Sequence, residues 1–237
     1  MENKYSKING QRTAVILQPS YLPWLGYVAQ MQRCDVFVVY DDVQYDKHSW
    51  RNRNRIKTPQ GIQWLTVPVL CKGKDWPTNR EIKIDKATDW RKKHLFSIRQ
   101  NYAKAPYFSH YIGAFEKLYS CHWDFLIDLN MAFLHTLCEM LGLEREIIFS
   151  SKLNVEGKTV ERLIAICQHL GANVFYEGAA GRNYIDESLF IQAGIRLEYQ
   201  DYQHKVYPQL HGEFIPYLSV IDLIFNCGPK SLEILTQ

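Results

Sequence analysis

Residues 13–42 read TAVILQPSYLPWLGYVAQMQRCDVFVVYDD, and this stretch decides the fold. Thr13 to Leu17 is a β-branched, apolar run with the length of a buried strand. A loop carrying Gln18, Pro19, Ser20, Tyr21, Pro23 and Trp24 follows, and its two prolines fix φ twice within five residues. Gly26 opens a short helix, and Val36 to Tyr40 is a second apolar strand that ends on Asp41 and Asp42.

The alternation returns towards the carboxyl terminus. Ile147 to Phe149 reads as a buried strand. Lys158 to Leu170 is an amphipathic helix with Val160, Leu163, Ile164, Cys167 and Leu170 on one face and Gly171 as its stop. Asn173 to Tyr176 is a strand, followed by the loop GAAGRN, a short helix from Glu187 to Ala193, and a strand from Arg196 to Tyr199. Ser219 to Phe225 is a last helix, stopped by Asn226 to Pro229. Strands and helices alternating at this spacing predict an α/β fold with a mainly parallel, Rossmann-like sheet flanked by helices. Between the second strand and this region lie two strands, Ile62 to Leu70 and Glu81 to Asp85, and three helices, Trp90 to Lys104, Tyr107 to Tyr119 and Phe125 to Leu141. The predicted organisation is a frayed tail over 1–11 and a single α/β domain over 12–237 with a β insertion at about 58–86.

The chain has 237 residues, 46% of them apolar, and 28 basic against 25 acidic side chains give a net charge of +3. Bulk charge therefore selects no partner, and anion affinity must come from clusters such as Arg51 to Lys57. No long uncharged apolar run offers a membrane span. The start, MENKYSKINGQR, lacks the apolar core of a signal peptide, and the six cysteines are scattered without Cys/His ligand spacing. The expectation is a reduced, cytoplasmic protein without a structural zinc site; no metal ligands are assigned.

Open parallel sheets bind ligands beyond the carboxyl ends of their strands. Asp41 and Asp42 end a strand there, so they are candidates for taking a proton or holding a metal; the alternative is a strand-ending turn. Arg51, Arg53, Arg55 and Lys57 recur with period two around Asn52 and Asn54. On an extended strand this places the cations on one side, suited to phosphate or pyrophosphate, or else makes a solvated edge. Gln44, Tyr45, His48 and Trp50 adjoin these cations, and the two polar-aromatic segments together suit a sugar or base; such a surface also permits RNA binding. His48 is the candidate general base among eight histidines. Gln18, Tyr21 and Trp24 belong to the first loop as candidate pocket residues. Gly178, Gly181, Arg182 and Tyr184 lie in a loop before a short helix, where backbone amides can cradle an anion.

Three motifs, QPSYLPWLGY from Gln18, DDVQY from Asp41 and WRNRNRIK from Trp50, resemble the WbqC-like protein family. The resemblance continues through Trp64 to Val69, Gly178 to Asp186 and Leu223 to Gly228, and so covers nearly the whole chain. One departure is Leu17, where members often carry His. The resemblance implies a role in bacterial surface-polysaccharide (O-antigen) biosynthesis, with transfer of an acyl or aminoacyl group to a nucleotide-linked amino sugar. The donor is left open among acyl-CoA, aminoacyl-tRNA (making tRNA a possible partner) and an adenylate made from ATP and Mg²⁺. Readings from other classes are an adenylate-forming amide ligase and a non-catalytic nucleotide-sugar or RNA-binding module. Neither the sugar nor the oligomeric state follows from the sequence.

Overall fold

A computed structural model describes residues 10–47, 49–71 and 77–236. β1 (Thr13–Leu17) leads through the proline loop into α1 (Leu25–Arg33) and β2 (Val36–Val39). A hairpin of β3 (Arg53–Thr58) and β4 (Gly61–Thr66) follows, then a smaller pair, β5 (Val69–Leu70) and β6 (Lys83–Ile84). Three helices come next: α2 (Trp90–Tyr102), α3 (Phe108–Ser120) and α4 (Leu126–Leu141). The chain continues as β7 (Glu146–Phe149), α5 (Thr159–His169), β8 (Val174–Glu177), α6 (Glu187–Gln192) and β9 (Arg196–Tyr199). It closes with α7 (Val220–Cys227) and α8 (Ser231–Thr236).

Two compact units divide these elements. The first holds the chain up to Gln18, Ala29–Asp42 and Arg145–Gln203; the second holds Pro19–Val28, Val43–Glu144 and His204–Gln237. The division falls within α1.

In the first unit, five parallel strands form one sheet in the order β7-β2-β1-β8-β9. Parallel strands are covered on both faces, which is why β2 and β8 are buried throughout and carry continuous apolar runs. On one face Ala14, Ile16, Val36, Val38 and Phe175 pack against Val160, Leu163, Ile166 and Cys167 of α5 and Phe190 of α6. The Phe175 and Phe190 rings stack at 5.2 Å and 6°. Gly171 ends α5 as expected, with φ +63° in the region where a Cβ is penalised.

Strand order sets the chemistry. From β1 the chain steps outward to β2 and then β7, and α5 carries it back to β8 on the other side of β1. The direction of winding reverses between β1 and β8, and such a switch point is where an open α/β sheet leaves a crevice. The pairing agrees. β1 matches β2 over four residue pairs, but it matches β8 over only two, Thr13 with Val174 and Ala14 with Phe175. Beyond those pairs the carboxyl ends of β1 and β8 are not laddered together.

In the second unit, the expected strand from Ile62 to Leu70 is interrupted. Pro68 has no N–H for a ladder, and Val67 N–H donates to Asn52 O, so β4 ends at Thr66 and β5 pairs elsewhere. Asn226 and Cys227, expected to stop the last helix, lie inside α7; Gly228 at φ +53° caps it, and α8 was not anticipated. A Cβ on Gly228 would sit 2.4 Å from the Tyr107 ring, so glycine is required there. Among the described residues, no helix is long and apolar enough to cross a membrane.

Replacing Phe175 with Ala removes a fully buried ring from the sheet–helix interface. We expect urea unfolding to show a loss of about 3–5 kcal/mol, the usual cost of deleting a core phenyl.

Candidate functional site

The end of β8 at the switch point brings together side chains unusual in a parallel core. β8 ends on Glu177, which is 8% exposed, and Gln30 of α1 and Gln200 after β9 are equally buried. Gln30 Nε2 donates to Gln200 Oε1 at 3.1 Å, and Gln200 N–H donates to Glu177 O at 2.8 Å. Gly178 N–H donates to Glu177 Oε1 at 3.0 Å. Among the described residues, no cation is bonded to this carboxyl. Burial therefore dominates and pushes Glu177 up to about 7, against an ordinary value of 4.5, with the Gly178 amide opposing weakly. Gln30 Oε1 is buried and accepts no hydrogen bond. A carboxyl poised near neutrality and an unused amide oxygen are both acceptors, so the crevice is chemically matched to a donor, such as a protonated amine.

The glycines keep this place open. A Cβ on Gly181 would lie 2.4 Å from Glu177 Cγ and 3.1 Å from the Tyr199 ring, whereas one on Gly178 would reach only Gln30 Nε2, at 3.6 Å. The loop amides are already committed: Gly178 to Glu177, and Gly181 to Gly178 O at 2.9 Å. Arg182 lies over the Tyr199 ring at 4.3 Å. Tyr184 is exposed, and partial burial followed by the nearby Glu177 charge raises its hydroxyl to about 12. Gln18 directly follows β1, on the other strand of the switch point.

Asp41 and Asp42 lie at the end of β2 and are held by neighbours. Asp41 accepts from Ser150 Oγ at 3.0 Å, Ser151 N at 3.0 Å and Ser151 Oγ at 2.6 Å. Asp42 shares that single Ser150 hydroxyl proton, at 2.6 Å, and accepts from Arg162 Nη2 at 2.5 Å. Burial acts to raise Asp42, but the bonds from Arg162 and Ser150 outweigh it and hold the carboxyl below its ordinary range. The pair thus ties the ends of β2 and β7 to α5. No group of three or more His, Cys, Asp or Glu suited to a metal ion occurs among the described residues.

The remaining candidates fall in the second unit. The period-two pattern holds: Asn54 and Ile56 are buried on one side of β3, and Arg53 and Arg55 are on the other. Arg53 lies over Trp64 at 4.6 Å, and Trp50 packs on Trp64 at 5.4 Å. Arg51 and Asn52 precede the strand. Arg51 is largely buried, which lowers its pKa against the opposing effect of Tyr27, Asp46 and Tyr45, and its Nε has no hydrogen-bond partner. Asn52 Nδ2 donates to Val67 O at 2.8 Å. Lys57 is 1% exposed, and its ammonium donates to Gln209 Oε1, Gly212 O and Glu213 O, leaving it no free proton. Tyr21 is a core residue bonded to His94 and Tyr119. Trp24 packs against His204 and Tyr217. Gln44 bridges Thr78, and Tyr45 is buried with its N–H on Pro77 O. His48 lies outside the described residues.

The sequence reading passed over Glu177, Gln30 and Gln200. Glu177 had a visible signal: an acidic residue closing the apolar run VFY directly before Gly178. The two glutamines had none, since only the strand order brings their segments together.

The sequence pattern of the WbqC-like protein family matches residues 18–234, and the chain belongs to that family. It is 37% identical over 227 residues to an uncharacterized protein of Mycobacterium tuberculosis, Rv1507c, covering 94% of this chain and 97% of that one. No solved structure matches the chain.

Glu177 makes stability depend on pH with a defined sign. Between 4.5 and about 7 the folded chain keeps a proton that the unfolded chain releases. Its contribution is complete below pH 4.5 and is lost as pH rises through 7, by about 3 kcal/mol at most. Glu177→Gln is therefore expected to stabilise the protein at pH 8 and leave it nearly unchanged at pH 4.5, measured by urea unfolding at both values. Gly181→Ala should cost about 1–3 kcal/mol through overpacking against Glu177, while Gly178→Ala, whose φ of −66° any residue adopts, should be nearly neutral.

Proposed function

We propose that this member of the WbqC-like family is a transferase of bacterial surface-polysaccharide biosynthesis, passing an acyl or aminoacyl group to the amine of a nucleotide-linked amino sugar. The observation that carries the reading is Glu177: a buried carboxyl, without a cationic partner, at the carboxyl end of a central parallel strand beside the switch point. An amine nucleophile arrives as an ammonium ion and attacks only after losing a proton. A carboxyl titrating near 7 is matched to that step, because about half of it is ionised at neutral pH and that form is basic enough to accept the proton. Gln30 Oε1 supplies a second acceptor that orients the amine. The freed lone pair then attacks the acyl carbonyl, the bond to the donor's leaving group breaks, and the leaving group departs with its electron pair and takes up the second proton that the nitrogen loses on becoming an amide. Membership of the WbqC-like family, resemblance to which implies a role in O-antigen synthesis, supports the sugar acceptor. Desolvation leaves Glu177 the better base of the carboxylates at this sheet edge, since Asp42 is held ionised by Arg162.

A thermal-shift panel of UDP- and dTDP-linked amino sugars beside their N-acetylated forms tests acceptor binding. A free-amine sugar should raise Tm more than its acetylated partner, by the linkage of ligand to the folded state. Equal shifts would remove the amine from the reading. With the best acceptor, mass spectrometry after incubation with acetyl-CoA, glycyl-tRNA, or glycine with ATP and Mg²⁺ reports transfer. Glu177→Gln should lower the rate by about 10²–10⁴-fold while keeping the Tm response. In the parent, kcat/KM should rise with pH and level off above about 7. An undiminished rate in the variant would refute Glu177 as the base.

A further inference from the structure

The second unit carries a surface that the proposed transfer does not use. Arg55 stands at its centre. Its guanidinium lies 5.2 Å over Trp50 and 5.6 Å over Trp64, and its Nε and Nη2 donate to Tyr217 O at 3.1 and 2.6 Å. On one side the Trp50 and Trp64 rings meet at 5.4 Å, with Arg53 stacked on Trp64. On the other, Tyr217 packs against Trp24 at 5.8 Å and His204 at 4.2 Å. Two groups of aromatic rings thus flank one arginine.

A ladder of Trp and Arg that served only to brace the hairpin would bury its rings, because aromatic burial is what such packing gains. Here Trp64 is 43% exposed and Tyr217 50% exposed. Tyr217 also holds φ at +58°, a left-handed conformation that costs a non-glycine residue about 1–2 kcal/mol. The two bonds from Arg55 to its carbonyl hold it there. Strain kept at an exposed aromatic residue is a mark of a binding surface.

The charge pattern selects the ligand. From Ser49 to Pro68 the chain contains Arg51, Arg53, Arg55 and Lys57 and no aspartate or glutamate. A neutral glycan carries no charge to meet these guanidinium groups, and the band holds no carboxylate of the kind that grips pairs of sugar hydroxyls. Ring faces beside guanidinium forks instead match flat aromatic bases joined by phosphates. We infer that this band binds a single-stranded nucleic acid, with bases stacking on Trp64 and Tyr217, the intervening phosphate on Arg55 and the adjacent phosphate on Arg53, which lies over Trp64. Ring groups on both sides of the arginine fit a segment of two or more nucleotides. A mononucleotide would fill one side alone.

The test is fluorescence anisotropy of a labelled octauridylate titrated with the full chain, with unlabelled UDP and maltooctaose as competitors. The expected dissociation constant is on the order of 10⁻⁵ M, within the range for electrostatic binding without sequence readout. Neutralisation of two phosphates gives a log–log salt slope near −1.4, from about −0.7 per phosphate on a single strand. Trp64→Ala should weaken binding about ten- to hundredfold, and Trp64→Phe should retain most of it. Arg53→Gln should flatten the slope by about half, and it reports on the band independently should Trp64→Ala fold poorly. Circular dichroism and Tm establish that each variant is folded. Absence of binding by the folded parent, a slope near zero, or equal competition by maltooctaose would overturn the assignment. Competition by UDP at the same molar concentration as octauridylate would overturn it in favour of a mononucleotide site.

Discussion

The short ladder between β1 and β8 is the constraint on which the first unit's chemistry depends. A parallel sheet satisfies its backbone by pairing and its faces by burial, so it leaves no place for polar side chains except its ends. Where neighbouring strands stay laddered to their ends, as β1 and β2 do over four pairs, the end is a turn. Where they part after two pairs, the end is a crevice. Glu177 and Gly178 leave β8 at that opening, and the buried glutamines come from α1 and the end of β9. β8 stays laddered to β9 through Glu177, so the opening lies on its β1 side; a strand order that extended the β1–β8 ladder to the same length would close it.

The second unit uses polar residues in a different way. Lys57, Asn52, Asn54 and Tyr21 read in sequence as ligand-binding groups, because a core seldom needs so many donors. Their bonds run to backbone carbonyls and to other side chains of the same unit: Lys57 to Gly212 and Glu213, Asn54 to Leu22, Asn52 to Val67. Long loops, such as 203–219 with little regular structure of its own, carry carbonyls that no ladder satisfies. Buried amides and an ammonium supply those donors and fix the loop shape. The same loop then presents Tyr217 in its strained conformation, so the buried polar residues act on the surface band at one remove.

Much of this architecture was legible because hydrophobic period and length report directly on strands and helices. The five parallel strands, the amphipathic α5 and the three-helix stretch all follow from runs such as TAVIL and VFVV and from the spacing of Val160, Leu163 and Cys167. Strand order was not legible, since pairing partners are far apart in sequence and apolar runs of this kind are interchangeable. That is why Gln30 and Gln200 went unseen: each is an ordinary glutamine until the sheet brings the two, 170 positions apart in sequence, side by side. Alternation along β3 was correctly read, yet it could not separate Arg53 and Arg55, which remain partly exposed, from Lys57, which the 209–213 segment covers.

Two acidic sites on the same sheet edge show how environment, and not residue type, assigns the role. Asp41 and Asp42 are the more conspicuous in sequence, yet their oxygens receive hydroxyls, an amide and the Arg162 guanidinium, and at Asp42 the bonds from Arg162 and Ser150 favour the ionised form. A carboxylate held that way is a weak base and a good strut. Glu177 receives one amide proton, from Gly178, and is deprived of water by burial, so its ionised form is disfavoured and its basicity rises. The same desolvation opposes folding above neutral pH. A group that served only to hold the fold would gain from a cation nearby, and Glu177 has none bonded to it. In the proposed transfer, a protonated amine bound beside Glu177 would supply the missing partner, so that ligand binding and the relief of a buried charge would be one event.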